Sequence, residues 1–385
     1  MNTEKMEEIT MKPKVIIFIG YFFPGFKSGG PAISIQNLIA SFHEKVDFFV
    51  ITNAFDKGES HYYENIILDD WNQLSNCKVY YSSNINKLSS HKIQMMCADS
   101  DYIYCCGCYD LYAIRLMILN KKRKIKNLIV ASMGNLFSNA LNIKKMKKKV
   151  FLFFFKLFGL FNNITWSATS QSEKEAIHKA ISKKSKIAIA CDLPTAPLNK
   201  NELNTFNNAL HIIFLSRIAK KKNLLFALKI LKQCKSKIIF DIYGVIEDEE
   251  YWNLCSKEIL SLPKNIICKY HGEVQHSQVL SIFSNYEIFL FPSFSENFGH
   301  VIYEAMASGC TPVISNTTYW QNLEENKIGY CIDLNDAQKY ISVIEEFYKN
   351  PSQLTTFRKN ALTYAKTYYK ECKKISGYLS LFHIE

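Results

Sequence analysis

The chain has 385 residues, 48% hydrophobic and 14% aromatic, with a formal net charge of +12. That length holds two domains of ordinary size, and so apolar a chain is not disordered. Twelve cysteines scattered through apolar runs argue against a disulfide scaffold and suit a reducing cytosol, and no segment reaches the roughly 20 apolar residues of a membrane span.

The apolar run Val15–Phe23 follows the acidic stretch MNTEKMEEIT and lacks a small-residue cleavage site, so it reads as a first strand and not as a signal peptide. Strands are predicted at 14–20, 47–52, 101–106, 127–132 and 186–191, with helices at 33–43, 109–121 and 171–182. Strands separated by helices predict parallel βαβ units. Cys105, Cys106 and Cys108 have no second cysteine pair or histidine cluster at ligand spacing, and are read as core and not as a metal site. The polar, proline-bearing stretch 192–209 is the predicted linker. A second series has strands at 211–216, 237–244, 265–272, 286–293 and 311–316, and helices near 222–234, 248–261, 276–284 and 298–308. Residues 335–385 read as helices only. The expected fold is α/β, with two doubly wound Rossmann-like domains over 1–191 and 210–350.

The charge is unevenly placed. Residues 111–172 contain twelve Lys and Arg and no Asp or Glu, so the rest of the chain balances to zero. Within that segment KKMKKKVFLFFFKLFGLF (144–161) joins five lysines to a phenylalanine-rich run too short to span a bilayer. Two readings stand side by side. The segment lies in a membrane interface with its lysines near anionic headgroups, or it is a helix packed on the sheet with a lysine-rich solvent end. No recognised nucleic-acid motif accompanies the charge, so nucleic acid is not expected as a partner.

In doubly wound sheets ligands bind outside the carboxyl ends of the strands, and three such loops carry chemistry. Gly29 and Gly30, after the first strand, remove side chains where backbone must approach a ligand, or simply make a turn. Arg217 and Lys222, five apart, stand between a strand end and a helix start. A planar fork beside a mobile point charge suits a diphosphate, and a cation at a helix N-terminus is otherwise mildly unfavourable. In SFSENFGHVIYEAMASGC (293–310), Glu296 lies at a turn and Glu304 is the only formal charge from Asn297 through Leu323. Gly299 leaves the first helical turn uncovered, and its free N–H groups suit an anion or sugar hydroxyls. An unpaired Glu304 in that apolar helix would cost several kcal/mol, so a partner is expected, in the first place ligand hydroxyls. The other reading is a helix cap plus one structural carboxylate.

SENFGHVIYEAMASGCTPVIS resembles the glutamate–seven–glutamate motif of the retaining family 4 glycosyltransferases, which have the GT-B fold. YFFPGFKSGGPAISIQNLI (21–39), FLSRIAKKKNLLFAL (214–228), DIYGVIEDEEYW (241–252) and YHGEV (270–274) fit that family in order and spacing. The resemblance implies two domains facing across a cleft, with the acceptor on the N-terminal side and helices 351–385 packing back towards that domain. It implies a nucleotide diphosphate sugar as donor, no further cofactor and no metal. Arg217 and Lys222 would hold the diphosphate, Glu296 with Asn297, Phe298 and Gly299 would face the donated sugar, and Glu304 would bind the ribose. The implied acceptor is a hydroxyl of a capsule, O-antigen or lipopolysaccharide glycan, lipid-linked at the cytoplasmic membrane face. Front-side transfer needs no protein base, and none is assigned. A GT-B epimerase or phosphorylase is the rival enzyme, and a catalytically silent sugar-nucleotide-binding subunit of an assembly complex the rival non-enzyme. The family's His-x-His-Gly is replaced by Tyr104, Cys105, Cys106 and Gly107, and the arginine of its next loop is absent. Acceptor-side groups are therefore limited to the candidates Ser132 and Asn135.

Overall fold

In this computed structural model, residues 12–25, 27, 29–137, 141, 145–198, 203 and 208–384 are described. The acidic stretch before Lys12, Lys144 of the basic segment and much of the predicted linker lie outside them. The chain divides into two compact units, Met1–Leu193 with Ile375–Glu385, and Pro194–Lys374.

The first unit is built on β1 (Lys14–Phe18), β2 (Asp47–Asn53), β3 (Trp71–Gln73), β4 (Lys78–Ser82), β5 (Tyr102–Cys106), β6 (Leu128–Ala131), β7 (Thr165–Ala168) and β8 (Lys186–Ile189). Their order is β3-β4-β2-β1-β5-β6-β7-β8, and only β3 runs antiparallel to its neighbour. Parallel neighbours need crossovers, which the helices Gly30–Phe42, Ser90–Met96, Leu111–Lys121, Lys145–Leu157 and Gln171–Ala180 supply. Val15, Ile17, Val50, Val130 and Trp166 are fully buried, as strands covered on both faces require.

The second unit has β9 (Leu210–Leu215), β10 (Ile238–Tyr243), β11 (Ile266–Tyr270), β12 (Ile288–Phe291), β13 (Thr311–Ser315) and β14 (Tyr330–Ile332), all parallel, in the order β11-β10-β9-β12-β13-β14. Its crossover helices are Leu224–Leu231, Glu249–Leu260, His276–Phe283 and His300–Ala307. Strand order reverses between β1 and β5 in the first unit and between β9 and β12 in the second. Loops leaving adjacent strands at these points open a crevice.

Strands β3, β4, β7 and β14 are absent from the sequence reading. β3 and β14 have only three residues each, too short to display a period of two. The helix expected near 222–234 begins at Leu224. Lys220–Lys222 form a separate 3-10 turn, and Asn223, at φ 62°, separates the two. The segment 351–385 does not act as one piece. Helix Pro351–Ile375 contributes Phe357, Ala361 and Ala365 to the second unit's core, whereas Tyr378, Leu381 and Phe382 join the first unit's core.

Candidate active site

Strands β9 and β12 lie side by side in register, Ile212 opposite Ile288 and Ile213 opposite Phe289, so the loops that follow them emerge together. Phe294 N–H ties these loops by donating to the Lys221 carbonyl (3.0 Å), with Ser293 Oγ 3.3 Å from the same oxygen. This clamp brings Lys222 Nζ to 2.6 Å from Glu296 Oε1, with only 12% and 11% of the two side chains exposed. Ser293 Oγ donates to Glu296 Oε1 (2.6 Å), and Lys222 Nζ sits 5.4 Å from the centre of the Phe291 ring. Burial pushes the Lys222 pKa down, and the Glu296 carboxylate partly holds it up.

Arg217 is more exposed and pairs with Glu247. Its loop is positioned by Gly244, whose φ of 137° and close approach to the Ser216 carbonyl leave no room for a Cβ. That is the contribution of the glycine in DIYGVIEDEEYW. Asn297 is exposed, and Gly299, at φ 75°, caps the helix His300–Ala307. Phe298 departs from expectation. Its ring is buried against Trp320 (5.2 Å between centroids) and Tyr319 (5.5 Å), so only its backbone is left to meet a ligand.

Glu304 is 2% exposed and already has protein partners. His276 Nε2 lies 2.8 Å from its Oε1, and Thr195 Oγ1 donates to the same oxygen at 3.4 Å. His276, at the start of the helix that follows YHGEV, was not singled out from sequence. Nothing local marks it, because the pair spans 28 positions. Burial alone would lower the His276 pKa, but the hydrogen bond and charge of Glu304 outweigh it and raise the pKa above 6.5. The raised value means that protonated His276 adds stability fully present below pH 6.5 and lost as pH rises through the raised pKa. His276→Gln is therefore expected to destabilise most at mildly acid pH, and urea midpoints across a pH series would record the penalty shrinking towards alkaline pH.

In the first unit, Gly29 (φ 71°) caps the helix that begins at Gly30, with open space around the position of a Cβ. It follows β1 at the β1/β5 switch point. Ser132 is not available to a ligand. It is fully buried, and its hydroxyl donates to Glu173, which also accepts from Gly134 N (2.7 Å), Thr169 N (2.8 Å) and Thr169 Oγ1 (2.8 Å). Asn135 remains partly exposed. Cys105, Cys106 and Cys108 are buried. Among the described residues, no group of three His, Cys, Asp or Glu side chains is placed to hold a metal ion.

The profile of the family Glycosyl transferases group 1 matches residues 196–364. An uncharacterized 41.2 kDa protein in the cps region of Klebsiella pneumoniae is 24% identical over 248 residues, 61% of this chain and 64% of that protein. The GtfA subunit of a UDP-N-acetylglucosamine–peptide N-acetylglucosaminyltransferase from Streptococcus agalactiae is 27% identical over 172 residues, 43% of this chain. The matches span 64% and 30% of the length of these curated relatives. Anabaena HepE, solved in complex with UDP and glucose, superposes with a TM-score of 0.69 at 16% identity, covering 96% of this chain and 99% of that one. The chain has the GT-B fold, and its residues 196–364 match the profile of the Glycosyl transferases group 1 family.

Proposed function

We propose that the chain is a retaining glycosyltransferase that moves a sugar from a nucleotide diphosphate sugar to a hydroxyl of a surface glycan, with a lipid-linked acceptor. The observation that carries this reading is the part-buried Lys222–Glu296 pair at the β9/β12 switch point, beside Arg217 and inside the matched domain. A diphosphate leaving group gains negative charge as the glycosidic bond breaks. Lys222 and Arg217 offer it a point charge and a planar fork, and Arg217 exchanges Glu247 for it. These cations take the place of a metal at the diphosphate. Glu296, held by Ser293 and Lys222, faces the donated sugar, and the uncovered amides at Gly299 receive its hydroxyls. Glu304, oriented by His276, keeps one oxygen for the ribose. The acceptor hydroxyl attacks from the face that the leaving group vacates, and the departing diphosphate takes its proton. The wider setting is suggested by the relatives: HepE was solved with UDP and glucose, and the Klebsiella protein comes from a cps region.

Calorimetry with nucleoside diphosphates, alongside donor turnover, tests the two glutamates separately. Glu296→Gln is expected to lower turnover and leave nucleoside diphosphate binding intact. Glu304→Gln is expected to weaken that binding itself. Weakening by the first substitution and not the second reverses the roles, and no binding of any nucleoside diphosphate removes the reading.

A further inference from the structure

Helix Lys145–Leu157 has two apolar faces. The inner one packs on the first unit: Leu152 is in its core, and Phe151 stacks on Phe155 (3.8 Å) and meets Tyr109 edge-on (5.1 Å). Lys148 turns the same way, its Nζ 5.2 Å from the Tyr109 ring. On the outer face Met146, Val150, Phe153, Phe154 and Leu157 are between 46% and 71% exposed. Their spacing of four, seven, eight and eleven residues from Met146 makes one continuous stripe, which Phe158 extends. A packed helix with a solvated end accounts for the inner face and leaves the outer one unexplained. At 100° per residue, the exposed Lys149 and Lys156 flank the stripe on one side and Lys147 on the other.

Lys156 also lines a cavity of about 1070 Å³ with Arg123, Lys126, Lys184 and Lys186, and no Asp or Glu lines it. Leu128, Thr165 and Lys186, the first residues of β6, β7 and β8, are in its wall. It therefore lies at the amino ends of these strands, away from the loop of Ser132 and Asn135.

We propose that the first unit docks on an anionic phospholipid bilayer, the outer stripe entering the acyl boundary and the basic cavity taking a phosphate-bearing headgroup. Lysines beside exposed phenylalanines match the two layers of such a surface, charge outside and hydrocarbon beneath. A nucleic acid would satisfy the cations and leave the stripe in water. The inference rests on the lipid-linked part of the proposed function and not on the transfer chemistry.

Co-sedimentation with vesicles tests it without reference to turnover. The intact protein is expected to partition at least about tenfold better to vesicles of equal parts phosphatidylcholine and phosphatidylglycerol than to phosphatidylcholine alone. Part of that binding should persist at about 1 M salt, where the Debye length falls to about 3 Å. The triple variant Phe153→Ser, Phe154→Ser and Leu157→Ser should keep low-salt binding and lose the salt-resistant part. Lys126→Gln, Lys184→Gln and Lys186→Gln together should lose most of the preference for the anionic lipid. All six side chains are exposed, and unchanged thermal midpoints would confirm intact folding. Three results overturn the proposal: intact protein left in the supernatant; salt-resistant binding unaltered by the serine variant; or a dimer that the serine variant dissolves, which makes a second copy the occupant. Inorganic phosphate that stabilises the intact protein, with no vesicle binding, assigns the cavity to a soluble anion and also overturns it. Nucleoside diphosphate binding by a protein that ignores vesicles would leave the transferase reading standing.

Discussion

Lys222→Ala is expected to lower turnover at least about a hundredfold, the loss that follows removal of one preorganised charge-stabilising donor, about 2.7–4 kcal/mol. The side chain has two duties on the proposed reading. In the ligand-free protein it neutralises Glu296 at 2.6 Å, with Ser293 completing the arrangement. During transfer the same ammonium meets the diphosphate. Removing it deprives the leaving group of a cation and leaves Glu296 without its counter-charge in a largely buried place. Breaking a buried pair costs about 3–5 kcal/mol, and the residual exposure here reduces that figure. The two duties separate in a double-mutant cycle. Lys222→Ala combined with Glu296→Gln should recover most of the lost thermal stability and none of the lost turnover. Arg217→Ala should also lower turnover, with less effect on stability because its partner Glu247 is exposed. Near-normal turnover in both Lys222→Ala and Arg217→Ala, with the fold intact, would remove the diphosphate assignment.

A large loss of stability is expected from Glu173→Ala. This carboxylate is 1% exposed and accepts from two backbone N–H groups and two hydroxyls. The hydroxyls can turn to other acceptors, but Gly134 N and Thr169 N cannot. A fully buried donor left unsatisfied costs about 1–3 kcal/mol; these two are part-buried, so together they give roughly 2–3 kcal/mol. For a domain of this size about 2–4 °C accompanies each kcal/mol, so the midpoint of the first unit should fall by roughly 4–12 °C. Glu173→Gln, which keeps one accepting oxygen, should lose less. Because Glu173 joins the loop after β6 to the helix after β7, its loss should also loosen Asn135. On the proposed reading that raises the KM for acceptor while donor hydrolysis persists. An unchanged unfolding midpoint in Glu173→Ala would show that the carboxylate does not clamp this loop.

Glu173 also marks how far a sequence can be read. Ser170 and Glu173 have the spacing of a capping box, and Ser170 Oγ does accept from Glu173 N (3.2 Å). That local half follows from spacing. The other half, the reach of the carboxylate to Ser132 and Gly134, crosses some forty positions and exists only because β6 and β7 are neighbours. The same relation turned Ser132 from a ligand candidate into a buried donor.

The sequence by itself determined the features that repeat over short distances. The alternation of β-branched runs with helical stretches predicts two doubly wound parallel units, and the glycines and charges at strand ends mark the loops to examine. It also required a partner for Glu304, since a lone carboxylate in an apolar helix is too costly. Tertiary structure alone decided which partners meet. Lys222 reaches Glu296 across 74 positions because β9 and β12 run parallel in register, and His276 reaches Glu304 because their helices pack together. It also decided direction: the Phe298 ring faces the core, while Phe153, Phe154 and Leu157 face outward. The physical reason is the same in each case. Periodicity and capping act over one or two turns, whereas strand order, register and the facing of a side chain are settled only when distant segments share one core.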